Sequence, residues 1–177
     1  MTAPSAIPVD MDPEWLAGAC LGGHLPEPVE QHLRLAGLNY QNDAVAESHL
    51  FQAQALAPSH AAVLIALYRF YFYKGRLGDA LEVADRCLLK AARDNRLNAD
   101  WRQVQRGDAE FSSYDAILPR FYLFTLKAYA YLQMRLGRLE QSHDALAKML
   151  ALDPSDKLNA TLLLQVLARH GQEDEDE

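Results

Sequence analysis

The stretch that decides the fold is Ala61–Leu77, AAVLIALYRFYFYKGRL, in which an apolar, aromatic-rich run is stopped by a glycine. Leu64, Leu67 and Tyr71 recur at the i, i+3, i+7 spacing of a buried helix face. Gly75 then favours the end of that helix and a reversal of the chain. An Ala- and Leu-rich run with helical periodicity follows the glycine. The stretch therefore predicts two helices joined by a tight turn.

This arrangement occurs a second time in the chain. Gly137-Arg138-Leu139 repeats Gly75-Arg76-Leu77, and each is preceded by an aromatic-rich run and followed by an amphipathic one. On these residues the chain resembles the tetratricopeptide (TPR) repeat, a 34-residue helix–turn–helix unit. The resemblance implies an all-α repeat array, in which small residues such as Ala80, Ala130 and Ser142 lie where the two helices of a repeat touch.

Three repeats are expected, starting at Glu27, Ala61 and Leu123. The first two starts are 34 residues apart and therefore in phase, whereas the third is displaced by a further 28 residues. We interpret residues 95–122 as an insertion, because Pro119 would interrupt a helix if this segment were a repeat. Within the insertion, Ala99–Arg106 is expected to form a short helix.

The ends of the array are also predicted from the pattern. Lys157–His170 has an amphipathic face typical of a capping helix, and Gly171 is expected to stop it. The resulting division is an N-terminal segment (1–26), a TPR-like helical domain (27–170) with the insertion at about 95–122, and a disordered acidic tail (171–177).

The charge distribution argues against binding to nucleic acid. Lys and Arg total 17 and Asp and Glu total 24, for a net charge of −7. Three acidic residues lie in 1–26 and five in 173–177, so that residues 27–170 carry 16 acids and 17 bases. Such a nearly neutral body has no excess of positive charge to attract a polyanion. No apolar run approaches the length of a membrane helix and no signal peptide is recognisable, so we expect a soluble, cytoplasmic protein.

Enzymatic activity, cofactor binding and metal binding are not indicated. The chain contains no Gly-x-Ser-x-Gly, phosphate-binding glycine loop or His-Glu-x-x-His motif. Its six histidines never fall at i, i+3 or i, i+4, so no single helix presents a metal-binding pair. Cys20 and Cys87 stand alone, and we interpret both as reduced thiols.

The aromatic residues around Tyr71 exceed what one packing stripe requires, so some are expected to lie off the core. In the TPR superhelix, certain positions of the first helix of each repeat face a concave groove. The residues that the resemblance assigns to this groove are Leu35, Leu38, Asn39, Ile65, Arg69, Phe72, Tyr73, Phe124, Lys127, Tyr131, Met134 and Arg135. The alternative is that the insertion or the capping helix covers these side chains and makes them ordinary core.

A groove that mixes aromatic and cationic groups suits a peptide or helix with apolar anchors and a carboxylate. The leading hypothesis is therefore a non-catalytic adaptor or assembly chaperone that binds another protein. One alternative is a structural module that uses the same aromatics in a homodimer. Another is a translocator chaperone of type III secretion, although repeats of that family are generally contiguous. The pattern around Arg69–Leu77 and Arg120–Lys127 also resembles small TPR proteins associated with bacterial nitrogen-fixation gene clusters, which implies a role in the assembly or protection of a metalloprotein.

Overall fold

The described part of the protein is built from α-helices. The structure, a computed structural model, describes residues 24–113 and 115–173. Within these ranges it contains two short 3-10 helices and no strand, so the expected all-α class is confirmed. The α-helices are α1 (Glu27–Leu38), α2 (Asp43–Leu56), α3 (Ala61–Tyr73), α4 (Leu77–Asp94), α5 (Ile117–Arg135), α6 (Leu139–Leu152) and α7 (Ala160–Glu173).

The chain divides into two compact units, whose described parts are residues 24–83 for one and residues 84–113 and 115–173 for the other. We call them the first and the second unit; the boundary falls within α4. Most of the predicted N-terminal segment (1–23) and the end of the predicted acidic tail (174–177) lie outside the described residues.

The first unit begins with a helical hairpin. α1 and α2 pack against each other, and α2 also contacts α3. Asn42 starts α2, because its side-chain oxygen accepts a hydrogen bond from the Val45 amide at 3.3 Å and so caps the helix. Ala46, Leu50 and Ala53 then recur on one face of α2 and are buried.

The two glycine turns predicted from the repeat have the same backbone geometry. Gly75 and Gly137 have φ angles of +74° and +79°, in the left-handed region that favours glycine. The Gly75 amide bonds to the carbonyl three residues earlier (3.1 Å), and the Arg76 amide to the carbonyl five residues earlier (2.9 Å). Gly137 and Arg138 repeat this pattern at 3.0 and 2.8 Å. Each turn is a Schellman motif, which satisfies the last carbonyls of the preceding helix.

Three helix boundaries differ in detail from the expectation. α5 begins at Ile117, six residues before the predicted start at Leu123, so that Pro119 lies in its first turn. The missing amide hydrogen costs nothing there, because the first amides of a helix have no intrahelical acceptor. Gly171 does not end α7, which continues to Glu173. The short helix expected within Ala99–Arg106 is a 3-10 turn over Trp101–Gln103.

The second unit is built around α5 and α6. These helices pack against each other, and α6 also contacts α7. Ser142 on α6 donates a hydrogen bond to the Ala130 carbonyl on α5 at 2.7 Å, so the two backbones approach closely at this point. Tight helix contacts of this kind require small side chains.

The segment between α4 and α5 is anchored on the second unit by buried side chains. Trp101, Val104 and Phe111 are all buried. The Trp101 ring lies 6.0 Å from that of Tyr129, and Lys148 on α6 donates to the Val104 carbonyl at 2.9 Å. The segment therefore forms part of the core of this unit.

Candidate binding surfaces

The residues assigned to a groove fall into two sets, one in each unit. The set in the first unit consists of Leu35, Leu38, Asn39, Ile65, Arg69, Phe72 and Tyr73; the set in the second unit consists of Phe124, Lys127, Tyr131, Met134 and Arg135. The two sets are described separately below.

The assigned side chains at and just after the end of α1 differ in exposure and in hydrogen bonding. Leu38 is 76% exposed and ends the helix, whereas Leu35 is half-buried. The Asn39 amide group donates to the Leu35 carbonyl at 2.8 Å, which satisfies a carbonyl at the end of α1. Of the three, Leu38 is therefore the side chain that is free to meet another molecule.

The end of α3 carries an aromatic and cationic surface. Tyr73 is 58% exposed, and the Arg69 guanidinium lies over its ring at 6.0 Å from the centroid. The half-buried Phe72 ring meets Tyr73 edge-on at 5.5 Å. We call Arg69, Phe72 and Tyr73 the α3 surface. Ile65, one turn earlier, is buried and belongs to the core.

The α3 surface lies at a helix end that Lys74 fixes through several contacts. The Lys74 ammonium donates to the Tyr40 carbonyl at 2.8 Å, forms an ion pair with Asp43 at 2.8 Å and lies 3.8 Å from the centre of the Tyr40 ring. Such a group of contacts limits movement of the turn that follows α3. The sequence pattern does not single out Lys74, because Tyr40 and Asp43, which bind its ammonium, are distant from it in the sequence.

In the second unit, three of the five assigned side chains are buried. Tyr131 and Met134 are almost fully enclosed, and Lys127 is only 7% exposed. Phe124 is half-buried beneath the Arg120 guanidinium at 5.7 Å, while Arg135 is exposed and donates to the Tyr131 hydroxyl at 3.0 Å. Lys127, Tyr131 and Met134 therefore belong to the core of the second unit as described.

Lys127 is a buried cation with a fixed partner. Its ammonium donates to the Leu158 carbonyl, just before α7, at 2.6 Å. Burial lowers the pKa of Lys127, although the charge of Asp156 acts in the opposite direction. This residue links α5 to the segment that precedes α7, and it is not available to bind a partner's carboxylate.

A second polar junction lies where α6 ends. Asp153 is 3% exposed and accepts hydrogen bonds from the Ser112 hydroxyl (3.0 Å) and the Lys157 amide (3.1 Å). Burial acts to raise the pKa of this carboxyl, but the hydrogen bonds from Ser155, Lys157 and Ser112 together hold it below its usual value. The charged carboxylate therefore joins the segment before α5 to the segment before α7.

Two histidines from different helices are neighbours in the structure. His32 on α1 and His49 on α2 approach to 3.1 Å between their Nδ1 atoms. A search for histidines spaced along one helix cannot detect this pair, because its members come from two packed helices. No other described His, Cys, Asp or Glu joins them to make a group of three or more capable of holding a metal ion.

Two further features, a depression on α2 and the Cys87 thiol, do not indicate a binding or reactive site. A shallow depression of about 520 Å³ is lined by residues of α2 between Asp43 and Ala55, so it is an open helix face rather than an enclosed cavity. Burial raises the pKa of the Cys87 thiol to about 12, which keeps it protonated and unreactive at neutral pH. Cys20 lies outside the described residues.

The described chain is thus an all-α protein in which a cationic and aromatic surface is exposed at the end of one helix. A protein of Azotobacter chroococcum mcd 1, described as an uncharacterized 19.8 kDa protein in the nifW 5′ region, is 42% identical to it over 132 residues, which is 74% of each chain. The chain belongs to the family of this protein. No family model and no solved structure matches the chain. No helix in the described ranges is long and apolar enough to cross a membrane.

Proposed function

We propose that the chain is a TPR-like array and acts in the cytoplasm as a non-catalytic adaptor or assembly chaperone for another protein. Three observations support the repeat arrangement. Lys74 contacts Tyr40, 34 residues earlier, as expected where equivalent positions of successive 34-residue repeats are neighbours. The turns at Gly75 and Gly137 share one geometry. In the last helix pair, Ser142 bonds to the Ala130 carbonyl, and both are positions where small residues are expected.

The α3 surface carries the functional part of the proposal. Exposed aromatic rings supply large rigid contact areas, and a neighbouring guanidinium fixes the orientation of a carboxylate. Arg69 is held over Tyr73, so the cation and the apolar contact are presented together. A peptide or helix with an apolar anchor beside an acidic group fits this surface best.

A role in nitrogen fixation is supported by the location of the related gene. The Azotobacter relative is described by its position in the nifW 5′ region. We infer that the partner belongs to the same process, in the assembly or protection of a metalloprotein.

The proposal is tested by capturing partners with matched variants of the tagged protein in a nitrogen-fixing host. Tyr73→Ala removes the exposed ring, and Arg69→Glu reverses the charge. Phe51→Ala is the control, because Phe51 is a comparably exposed aromatic on α2. Quantitative mass spectrometry compares what each variant and the unaltered protein retain.

The expected result is that the unaltered protein and Phe51→Ala enrich the same protein, whereas Tyr73→Ala weakens its binding by at least ~2 kcal/mol. Arg69→Glu should weaken binding most at low ionic strength, since salt screens exposed charges. Equal enrichment by all four proteins would rule out the α3 surface as the binding site. If the enriched protein is a second copy of the chain and light scattering gives a dimer that Tyr73→Ala dissociates, the homo-oligomerisation module is correct instead.

A further inference from the structure

His32 and His49 are brought together by the packing of α1 against α2. Their Nδ1 atoms are 3.1 Å apart, their ring centres are 5.4 Å apart, and their ring planes differ by 34°. Both residues are half-buried, so each remains partly accessible to solvent.

The short distance between the two Nδ1 atoms requires that one ring donates and the other accepts. Two imidazole nitrogens at hydrogen-bond distance share one hydrogen, with one ring donating and the other accepting through its lone pair. The same two nitrogens, when neither carries a hydrogen, are ligands of the type that transition metals prefer.

The separation also fits a metal ion. With metal–nitrogen bonds of about 2.0–2.1 Å, two ligand atoms 3.1 Å apart subtend an angle of about 95–100° at the metal. This angle lies between those of square-planar and tetrahedral coordination. Little change in the distance between α1 and α2 is therefore needed for both rings to bind one ion, provided that each turns its lone pair toward it.

We propose that His32 and His49 form a binding site for one divalent transition-metal ion of the Zn²⁺, Ni²⁺ and Cu²⁺ class. Both rings bind through Nδ1. The hydrogen shared by the pair moves to Nε2 of the donor ring, so two neutral imidazoles bind without net release of protons. Water completes the coordination, because the described residues provide no third His, Cys, Asp or Glu ligand.

The chemistry predicts the selectivity of the site. Imidazole nitrogen binds Cu²⁺ more tightly than Ni²⁺ or Zn²⁺, whereas Mg²⁺ prefers oxygen. An ion that bridges α1 and α2 stabilises the folded hairpin, since binding to the native state alone shifts the unfolding equilibrium.

The test uses the whole chain, freed of metal and titrated calorimetrically with CuCl₂, NiCl₂, ZnCl₂ and MgCl₂. His32→Gln and His49→Gln each remove one ligand. His143→Gln is the control, because His143 is an exposed histidine of the second unit whose nearest partner is Asp144 at 3.5 Å. We expect one equivalent of Cu²⁺, Ni²⁺ or Zn²⁺ to bind and to raise the melting temperature, with no response to Mg²⁺.

Each ligand variant should weaken binding at least about tenfold, and His143→Gln should leave it unchanged. In the unaltered protein, Zn²⁺ should shift the imidazole nitrogen resonances of His32 and His49 together, a measurement that does not depend on the folding of a variant. Absence of binding would overturn the proposal and leave a simple hydrogen-bonded pair. Binding retained by both ligand variants, or resonance shifts confined to other histidines, would also overturn it.

Discussion

The aromatic helices α3 and α5 share one sequence pattern but differ in what reaches solvent. On α3 the end of the helix exposes Tyr73 beside Arg69. On α5, aligned with α3 through the two glycine turns, Tyr131 and Met134 stand at the positions of Arg69 and Phe72, and both are buried. In the second unit, the segments before α5 and before α7 also contact α5. A repeat pattern therefore identifies a helix face, but neighbouring segments determine whether that face is available.

The largest expected effect follows directly from this contrast. Tyr131→Ala removes a ring that is 5% exposed and should lower the free energy of unfolding by ~3–5 kcal/mol. Tyr73→Ala removes a mostly exposed ring and should change it by less than ~0.5 kcal/mol. Denaturant unfolding of both variants measures the difference. Equal losses would mean that the two faces are equally covered, contrary to the structure.

An intermediate effect is expected at the junction that distinguishes the second unit. Asp153→Ala removes the hydrogen bonds that the buried, charged carboxylate accepts from Ser112 and Lys157, and should cost ~2–3 kcal/mol at pH 7. Because the pKa of Asp153 is lower in the folded state, its contribution is complete above the unfolded value of about 4 and is lost as the pH falls through the folded value. The stabilities of the two proteins should therefore converge in acid. A difference that stays constant down to low pH would show that the charge of Asp153 is not responsible.

A smaller effect should be the same at both glycine turns. Gly75→Ala and Gly137→Ala force a side chain into the left-handed region, at a cost of ~1–2 kcal/mol each. An added Cβ meets no atom within 4 Å at either glycine, so strain in the backbone is the whole cost. Thermal melting of the two variants compares the turns. A markedly larger loss at one of them would mean that they are not equivalent.

The sequence predicts the helix pairs and their turns better than it predicts which helix faces are covered by other segments of the chain. Spacing around Gly75 and Gly137 was sufficient for the helix pairs, because the turn geometry is local. The burial of Lys127 was not predictable in this way, because its partner is the carbonyl of Leu158, 31 residues away. α5 begins at Ile117 rather than at Leu123, because the repeat register defines where a repeat begins and not where its first helix begins, and the first turn of a helix tolerates Pro119.

For the candidate sites too, the sequence pattern predicts local features but not contacts between separate helices. The TPR resemblance assigns Arg69 and Tyr73 to a binding surface, and the excess of aromatics over one packing stripe favours it; both depend on the local sequence pattern. The contact between His32 and His49 joins residues of two helices, and only the packing of α1 on α2 reveals it.

Hydroxyl-radical footprinting of the protein, alone and with its captured partner, tests the central claim most directly. In the free protein, Tyr73 should be modified readily and Tyr131 slowly, because their exposed fractions differ greatly. The partner should protect Tyr73 and leave Phe51, an exposed aromatic of α2, unaffected. If Tyr73 is modified at the same rate with the partner bound, while the protected residues lie elsewhere, the α3 surface is not the binding site.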